Sequence, residues 1–324
     1  MKRVLVTGAA GFIGANLVRR LLDGGHEVHL LLKPGDDTWR ITELLGRASV
    51  HEADLVDSAA VRKAVSAARP QWVFHLAAYG GYSWQTGPDA IMQVNFMGTV
   101  NLLEACRVEG FEAFVNAGSS SEYGVKDHAP REDEPVEPNS HYAVAKVAAT
   151  QACRFAARVH GLNIRTLRLY SAFGPWEEPA RFVPTLLVHC LEGTLPELVS
   201  PGVARDFVYV DDVCDACLKA ASTPPGAEAG AVFNVATGRQ TTMREAVECA
   251  RKELGVKEEP KWGSMPNRAW DAETWVGDAG KISAELGWKP VHSFVEGLRK
   301  TAGWLKSSPA LREYYAARIR RRKL

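Results

Sequence analysis

The sequence lacks an excess of either charge sign. Its 324 residues include 39 Lys and Arg against 38 Asp and Glu, which gives a formal net charge of +1 at pH 7. Such a chain has no general electrostatic attraction to nucleic acid or to an anionic membrane, and we expect neither as a partner. A basic cluster at the C-terminal end predicts a solvated terminus; it consists of Arg318, Arg320, Arg321, Arg322 and Lys323.

Long apolar runs and a cysteine framework are also lacking. No run approaches the roughly 18 to 20 apolar residues that span a bilayer, and a strand-like run begins at Arg3 where a signal peptide would lie. We therefore expect a cytoplasmic protein. The six cysteines are scattered, mostly within apolar helical patterns. Cys214 and Cys217 lack the second Cys or His pair that a zinc site requires, so we expect no metal.

Short Val-, Leu- and Phe-rich runs alternate with helix-length amphipathic segments through the first half of the chain. This alternation is typical of βαβ units, which build a doubly wound parallel α/β sheet with helices on both faces. Six strands are predicted, at 3–6, 28–32, 49–53, 72–76, 114–117 and 164–169. Prolines punctuate the chain after Gly174, which predicts a smaller second lobe. We expect one domain over 1–174, rejoined by about 206–236, and another mainly over 175–324.

Three glycines follow the first predicted strand at intervals of three residues: Gly8, Gly11 and Gly14. A helical apolar pattern begins near the third glycine. Because glycine has no Cβ, the backbone can approach a pyrophosphate, whose charge is met by free N–H groups and by the positive end of the helix. Strand, loop and helix together predict a dinucleotide-binding site that includes Phe12 and Ile13.

The end of the second predicted strand is the place where a dinucleotide site selects its cofactor. An NAD site has an Asp or Glu about 20 residues after the glycine loop, where it binds the ribose 2′-hydroxyl. This sequence has Lys33 there and Arg40 soon after, which suits the 2′-phosphate of NADP. NADP(H) is therefore favoured, and the nearby Asp36 and Asp37 keep NAD(H) as the alternative. Asp54 is a candidate for the adenine amino group or for the cap of the next helix.

Several further motifs are spread along nearly the whole chain: TGAAGFIG (7–14), DL (54–55), HLAA (75–78), NFMGTVNLLEAC (95–106), GSSSEYG (118–124), YAVAK (142–146), LRLYSAFGP (167–175), ARDFVYVDDV (204–213) and LGWKP (286–290). Together they resemble the extended short-chain dehydrogenase/reductase family of NAD(P)-dependent nucleotide-sugar epimerases, dehydratases and reductases. The resemblance implies a Rossmann-type doubly wound sheet with a smaller C-terminal substrate-binding α/β lobe. It also implies a homodimer, and cofactor contacts from Asp54, Leu55, Leu76, Ala77 and Ala78.

The same resemblance implies a catalytic Ser, Tyr and Lys. Tyr142 and Lys146 lie four residues apart at the start of a helical pattern, so they face the same side one turn apart. A phenol with a pKa of about 10 is a poor base near neutral pH, and a nearby ammonium group lowers that pKa. Lys146 would also bind the nicotinamide ribose. Ser119 takes the position of the family's catalytic hydroxyl, with Ser120 as the alternative, and would bind the substrate oxygen whose proton Tyr142 moves.

The residues after the catalytic serine bear on the reaction. Family members that dehydrate sugars have an acidic pair there, whereas this chain has Ser120 and Ser121, with Glu122 one place later. A reductase of NDP-4-keto-(6-deoxy)hexoses that consumes NADPH is the leading prediction, and Lys33 supports it. The alternative is an NAD-dependent NDP-sugar 4-epimerase, similar to UDP-glucose 4-epimerases, that retains its cofactor. A 4,6-dehydratase, a reductase of non-sugar carbonyls and a non-catalytic NADP(H)-sensing module are further alternatives.

A nucleotide-diphosphate sugar requires cations for two phosphates and apolar walls for the base. The resemblance implies pyrophosphate contacts at Arg205 and Arg268, and Arg181 is a third candidate. A structural ion pair is the alternative role for these arginines, with Asp206 or Asp271 as the partner.

Aromatic and polar side chains near the same motifs are candidates for the walls of the substrate pocket. Tyr79 and Ser83 follow the HLAA motif, where they would line the sugar. Trp176 and Phe182 follow the LRLYSAFGP motif, where they would pack against the base.

Overall fold

A parallel sheet of seven strands forms the centre of the structure. The computed structural model describes residues 1–82, 84–268 and 271–321. Its strands are β1 (Arg3–Thr7), β2 (Glu27–Leu32), β3 (Ser49–Glu52), β4 (Trp72–His75), β5 (Ala113–Ser119), β6 (Ile164–Leu169), β7 (Ser171–Phe173), β8 (Ala204–Arg205), β9 (Phe207–Tyr209), β10 (Val232–Val235) and β11 (Thr241–Thr242). The central sheet has the order β10-β6-β5-β4-β1-β2-β3, and every neighbouring pair is parallel. The predicted doubly wound α/β sheet is confirmed.

Helices connect these strands and build the rest of the molecule. They are α1 (Phe12–Asp23), α2 (Ser58–Ala68), α3 (Pro88–Met92), α4 (Gly98–Glu109), α5 (His141–His160), α6 (Phe182–Leu191), α7 (Val210–Ser222), α8 (Met243–Leu254), α9 (Gly280–Leu286), α10 (Phe294–Lys306) and α11 (Pro309–Arg321). Two 3₁₀ helices, Thr42–Arg47 and Ser120–Tyr123, and one π-helical turn, Gln93–Met97, complete the helical segments. Among the described residues, no helix has both the length and the apolar character that crossing a bilayer demands.

Helices cover both faces of the central sheet, because its apolar strands expose hydrophobic side chains on each side. On one face, α1 and α7 bury residues such as Leu17 and Val213. On the other face, α2, α4 and α5 bury residues such as Val61, Leu102 and Ala157. The central strands are thereby excluded from water, whereas the edge strand β3 stays largely exposed.

The order of the strands reverses between β1 and β4, which are neighbours in the sheet although β2 and β3 separate them in the chain. Loops that follow such a pair leave in opposite directions and open a crevice at the carboxyl ends of the strands. The glycine loop follows β1, and the HLAA motif closes β4. The topology therefore brings these two motifs to opposite sides of one crevice.

A second hydrophobic core lies beyond β7. Helices α6, α8, α10 and α11 pack there around residues such as Leu187, Val247 and Leu305. The chain returns to the first core twice, through β10 beside β6 and through Ile282 and Leu286 of α9. We propose that the two cores mark two domains, with a boundary near residue 174, and that α9 joins 206–236 in completing the first.

The C-terminal end is a packed helix whose basic side chains Arg318, Arg320 and Arg321 are exposed to solvent, as predicted, although the helix itself is not a free terminus. Tyr315 of α11 is fully buried in the second core, where Ala316 and Ile319 lie beside it. Arg318 forms an ion pair with Asp37 at 3.0 Å. The apolar face of the helix outweighs its charge because the arginines can reach water or a carboxylate from the opposite face. Arg322 and Lys323 lie outside the described residues.

Candidate active site

The glycine loop is shaped for close approach of a ligand. Gly8 has a φ of +67°, which favours glycine, and a Cβ on it would lie 2.5 Å from the backbone nitrogen of Ala77. A Cβ on Gly14 would overlap the carbonyl oxygen of Gly8, so α1 can only begin this close to the loop with glycine there. Both positions require the missing side chain for the loop to keep its shape.

The start of α1 can accept an anion. Gly11 is its N-cap and supplies no side chain to the first-turn N–H groups, which include those of Phe12, Ile13 and Gly14. Leu76, Ala77 and Ala78 follow β4 across the crevice. Backbone donors and a helix N-terminus that no side chain caps are what a pyrophosphate needs. The loop therefore fits the dinucleotide that its sequence predicts.

At the end of β2, Lys33 keeps its side chain 60% exposed and forms an ion pair with Asp54 at 3.0 Å. Asp54 also accepts a hydrogen bond from the backbone N–H of Val56. The N-cap of α2 is Asp57, which accepts from Ala59 and Ala60, so the alternative role of Asp54 as that cap is wrong. Leu55 is buried, and its carbonyl accepts from Asn101.

Arg40 is not placed to meet a 2′-phosphate. It is 7% exposed, and its guanidinium donates to the carbonyl oxygen of Trp176 at 2.7 Å and to Glu178 at 3.1 Å. Sequence spacing could not reveal this, because both partners lie more than a hundred residues away. Lys33 is left as the cation at the end of β2.

Ser119 ends β5 and Ser120 begins the following 3₁₀ helix, and their side chains have different neighbours. Ser119 caps the 3₁₀ helix Ser120–Tyr123, and its hydroxyl lies 2.8 Å from the hydroxyl of Ser121. The Ser119 side chain also lies close enough to Tyr142 to lower the pKa of that phenol. Ser120 is buried and lines a small cavity with Tyr170 and Trp275. The geometry thus joins Ser119, and not Ser120, to Tyr142.

Tyr142 and Lys146 occupy the first turns of α5, where Ser140 is the N-cap. The Lys146 ammonium lies 5.8 Å from the centre of the Tyr142 ring and donates to the carbonyl oxygen of Ala117 at 2.8 Å. Burial raises the pKa of Tyr142 to about 12, while the Ser119 hydrogen bond acts in the opposite direction. Burial lowers the pKa of Lys146 to about 8, while the Glu122 carboxylate acts in the opposite direction.

Glu122 is locked in the interior. It is fully buried, and it forms an ion pair with Arg168 at 3.0 Å. Its other carboxylate oxygen accepts from the backbone N–H of Ser119 at 2.9 Å. Since both oxygens are engaged by the protein, Glu122 holds Ser119 in place and is not oriented toward a substrate.

A buried polar network that sequence reasoning missed supports the floor of the crevice. His75 lies between the hydroxyls of Thr7, at 2.7 Å, and Thr99, at 2.9 Å. Burial lowers the pKa of His75 to about 3, so the ring is neutral. Asn95, in the π-helical turn, hydrogen-bonds both the N–H and the carbonyl of Tyr79. The HLAA and NFMGTVNLLEAC motifs contain His75 and Asn95, but the pairing depends on the folded sheet.

The three candidate arginines differ in their partners. Arg205 forms an ion pair with Asp271 at 2.6 Å, and both side chains are largely buried. Arg268 donates its backbone N–H to the same carboxylate at 2.9 Å, and its charge lowers the pKa of Arg205. The exposed guanidinium of Arg181 lies 5.6 Å from the ring of Tyr82. The charge of Arg181 also lowers the pKa values of Tyr142 and Arg205, which indicates that it lies near both.

The alternative partner named for these arginines, Asp206, has a different task. It is fully buried and accepts hydrogen bonds from Thr237, Gly238 and Gly277. It therefore ties two loops together and leaves Arg205 to Asp271.

The remaining substrate candidates are placed unevenly. Tyr79 lies at the start of the loop after β4, and Ser83 falls outside the described residues. Trp176 packs between Trp39 and Trp304, and Phe182 stacks on Phe207; both side chains are partly buried, and their role beside the base stays a prediction. An open cavity of about 610 Å³ lies between residues 125–128 and 271–274, next to Asp271.

No cluster of three or more potential metal ligands occurs in the part of the chain that the structure describes. Cys214 and Cys217 are buried on α7 and are free thiols. Burial raises the pKa of the Cys217 thiol to about 12, so it packs as a small hydrophobic group.

Comparison with known proteins identifies the family. A model of the NAD dependent epimerase/dehydratase family matches residues 4–236. The UDP-glucose 4-epimerase of Mycolicibacterium smegmatis is 34% identical over 94% of this chain and 99% of its own length.

Solved structures give the same result. A UDP-glucose 4-epimerase from Thermotoga maritima, crystallised with UDP-glucose, has a TM-score of 0.85 at 30% identity and covers 94% of this chain and 98% of its own. The UDP-glucose 4-epimerase of Thermus thermophilus, in complex with NAD, has a TM-score of 0.83 at 31% identity, with 94% and 99% covered. The chain therefore belongs to the NAD dependent epimerase/dehydratase family and is an enzyme of the extended short-chain dehydrogenase/reductase type.

Proposed function

We propose that this enzyme is an NAD-dependent 4-epimerase of a UDP-hexose, with Ser119, Tyr142 and Lys146 as its catalytic residues. The observation that supports this most is the meeting of Ser119 with Tyr142 at the carboxyl end of β5, one helical turn from Lys146. The similarity to UDP-glucose 4-epimerases over nearly the full chain supports the choice of reaction.

Proton transfer at the sugar C4 hydroxyl is the task of Tyr142. Its phenolate would remove the hydroxyl proton while the Ser119 hydroxyl binds the same oxygen, which fixes C4 for hydride transfer. The chemistry that NAD supplies when bound is acceptance of the C4 hydride and its return to the opposite face. Tyr142 returns its proton to the oxygen in the second half of the reaction, so no atoms are gained or lost.

Lys146 provides the positive charge that makes this proton transfer possible near neutral pH. An ammonium group close to a phenol favours the phenolate. Burial raises the pKa of Tyr142, and Lys146 donates to the carbonyl oxygen of Ala117. We propose that Lys146 would hold the cofactor ribose and, by turning toward Tyr142, would lower the pKa of that phenol.

A 4-epimerase must hold the nucleotide while the ketone sugar turns its other face toward the nicotinamide. Arg181 and Arg205 are the proposed pyrophosphate contacts, because Arg181 faces the crevice without an ion pair among the described residues and Arg205 lies near it. Arg268 and Tyr79 are proposed as further substrate contacts at the rim. Anchoring at the phosphates leaves the sugar ring free to rotate.

The environment of Glu122 argues against a 4,6-dehydratase. Elimination of water requires an acid that can reach the sugar, and both oxygens of Glu122 bind protein groups. Ser120 and Ser121 occupy the places of the acidic pair and cannot serve as acids at neutral pH.

A 4-keto sugar reductase that uses NADPH is the second candidate, and one observation favours it. The end of β2 offers the exposed ammonium of Lys33 and a buried Leu32 where an NAD site would present a carboxylate. A reductase would exchange its cofactor at every turnover, whereas an epimerase would retain it.

Two assays on the purified enzyme separate these candidates. Incubation with UDP-galactose and no added dinucleotide should produce UDP-glucose, measured by NMR of the anomeric protons, and denatured enzyme should release NAD in nearly equimolar amount. An empty site, no interconversion, and NADPH oxidation with a 4-keto nucleotide sugar would instead establish the reductase.

We further propose a homodimer. Val144, Phe155 and Val159 lie on one face of α5 and are 43%, 64% and 58% exposed, which is unusual for large apolar side chains. Val108 of the adjacent α4 is 73% exposed. Light scattering after size exclusion should give twice the chain mass for the wild type, and Phe155→Glu should shift it toward the monomer.

A further inference from the structure

Arg40 joins three segments that lie far apart in the sequence. Besides Trp176 and Glu178, its guanidinium donates to the carbonyl oxygen of Ala10 in the glycine loop at 3.4 Å. The backbone carbonyl of Arg40 accepts from Arg19 of α1. A buried guanidinium with several acceptors has one favourable position, so displacement of any one segment costs hydrogen bonds to the others.

The segment held by Arg40, residues 174–181, has a constrained backbone. Trp176 has a φ of +69°, one of two positive values among non-glycine residues that the structure describes. Such a conformation costs of order 1–3 kcal/mol and persists only when its surroundings enforce it. Asn16 of α1 donates to the carbonyl of Pro175 at 2.9 Å, and Arg19 lies 4.2 Å from the centre of the Trp176 ring.

The C-terminal helix α11 also contacts residues 174–181 and the loop after β2. Tyr315 donates its hydroxyl to the carbonyl of Glu177 at 2.6 Å. Tyr314 packs against Trp39 with ring centres 4.8 Å apart, and Arg318 pairs with Asp37 in the same loop. The loop that contains Lys33 and the segment that contains Arg181 are thus fixed to one helix.

The end of this segment bears on the substrate. Arg181 is the N-cap residue of α6 and follows Glu178 by three positions, and its backbone N–H donates to the carbonyl of Glu178 at 2.9 Å. Any shift of Glu178 therefore also moves the backbone of Arg181. Burial raises the pKa of Glu177 to about 8, and one of its carboxyl oxygens has no hydrogen-bond partner, so the segment is held by its backbone and by Glu178.

We propose that Arg40 is a positioning residue that couples the dinucleotide site to Arg181. Pyrophosphate on the glycine loop would fix the carbonyl of Ala10, to which Arg40 donates. Arg40 would then keep its hydrogen bonds to Trp176 and Glu178, which restricts the movement of both. Arg181 would thereby be held in the position that binds the nucleotide sugar. By linkage, each ligand tightens the binding of the other by the same factor. The coupling to Arg181 as a substrate contact rests on the proposed function, but the effect of the cofactor on residues 174–181 does not.

Hydrogen exchange measured by mass spectrometry tests this with cofactor alone, using NADH and NADPH in parallel. In the wild type, the tighter-binding cofactor should slow exchange at residues 8–14 and, by about fivefold or more, at 175–181. In Arg40→Gln, the cofactor should still protect 8–14 but no longer protect 175–181. Arg47→Gln is the matched control, because Arg47 forms an exposed ion pair with Asp23.

Unchanged cofactor-dependent protection at 175–181 in Arg40→Gln, or none there in the wild type, would overturn the proposal. A purely structural role would loosen 175–181 equally with and without cofactor, which also counts against it. If Arg40→Gln does not fold, Glu178→Gln is the second variant, because it keeps Arg40 and weakens only the Arg40–Glu178 ion pair. The cofactor-dependent protection at 175–181 must then be smaller than in the wild type. The exchange result stands even if no UDP-sugar proves to be a substrate.

Discussion

The catalytic half of the crevice and its nucleotide-sugar half differ in how their charges are compensated. Lys146 is buried with a backbone carbonyl as its hydrogen-bond acceptor, and it forms no ion pair within the part of the chain that the structure describes. Arg205, in the other half, is paired directly with Asp271. An uncompensated buried charge destabilises the fold, whereas attraction to a partner offsets much of the desolvation cost of a paired charge.

This difference separates residues kept for chemistry from residues that also serve the structure. The buried ammonium of Lys146 lowers the free energy of unfolding, so its role is catalytic. Arg205 is already paired with Asp271 and would have to bind a phosphate in addition. Arg181, exposed and close to both halves, resembles Lys146 in having no carboxylate partner among the described residues. Substitutions at these positions should therefore differ in whether they affect turnover, binding or stability.

Loss of the Tyr142 hydroxyl should have the largest effect. Tyr142→Phe should lower kcat by about 10³-fold, because the phenol is the group proposed to move the proton at C4. Cofactor affinity should stay within about twofold, because the phenol contributes little binding energy in the ground state. Steady-state assays and dinucleotide titration measure the two quantities, and wild-type turnover in the variant would refute the assignment.

The two adjacent serines provide a matched pair. Ser119→Ala should lower kcat by about 10²-fold, because the hydroxyl that meets Tyr142 is lost. Ser120→Ala removes the same atom from a side chain that faces Tyr170 and Trp275, and kcat should stay within about threefold. The reverse ranking would show that the substrate approaches from the other side of β5.

Arg181 and Arg205 should differ in whether their loss affects substrate binding alone or also the free energy of unfolding. Arg181→Ala should raise the KM for the nucleotide sugar by about 10- to 100-fold with the unfolding free energy unchanged, because only a charge-assisted ligand contact is lost. Arg205→Ala should raise KM similarly and also lower the unfolding free energy by about 2–3 kcal/mol, because Asp271 is left buried without its partner. Urea unfolding of both variants distinguishes the two cases.

Replacement of Lys146 should stabilise the protein at neutral pH while abolishing activity. The pKa of Lys146 is lowered to about 8, so between there and about 10.5 the unfolded chain binds more protons than the folded one. The buried ammonium lowers the free energy of unfolding by the full amount below pH 8, and by progressively less as the pH rises toward 10.5. Lys146→Met should therefore gain about 3 kcal/mol at pH 7 and almost nothing at pH 10.5 relative to wild type. Lys33→Met, at an exposed site, should show no such pH-dependent gain.

Lys33 should show the smallest effect. Lys33→Ala should weaken NADP(H) by about 1.5 kcal/mol, or tenfold, and NAD(H) by less, since only the former has a 2′-phosphate for the ammonium to meet. Fluorescence titration with NADH and NADPH measures both affinities. Equal losses of affinity for the two cofactors would mean that the Lys33 ammonium interacts with Asp54 and not with a 2′-phosphate.

The features that sequence could predict are those fixed by local spacing. The glycine intervals place Gly8, Gly11 and Gly14, and the four-residue interval between Tyr142 and Lys146 puts both on one helix face. The alternation of strands and helices determines the sheet, because each buried strand needs helices on both sides.

The features that sequence could not predict depend on distant partners. Arg40 was interpreted as a phosphate cation because Glu178 is far away in the chain, and the packing of the basic C-terminal helix was not predicted because the apolar partners of Tyr315 come from other helices. The cap of α2 is Asp57 and not Asp54, a choice made by backbone geometry within a short acidic stretch. In each case several positions satisfy the pattern, and tertiary packing selects one.

Transfer of deuterium from C4 tests the central claim most directly. UDP-galactose with deuterium at C4 should be converted to UDP-glucose that retains the label at C4, without added dinucleotide, because a retained NAD returns the same atom to the same carbon. Proton and deuterium NMR of the product measure the retention. Loss of the label to water, or its transfer to NAD or NADP added in solution, would contradict a 4-epimerase with a resident cofactor.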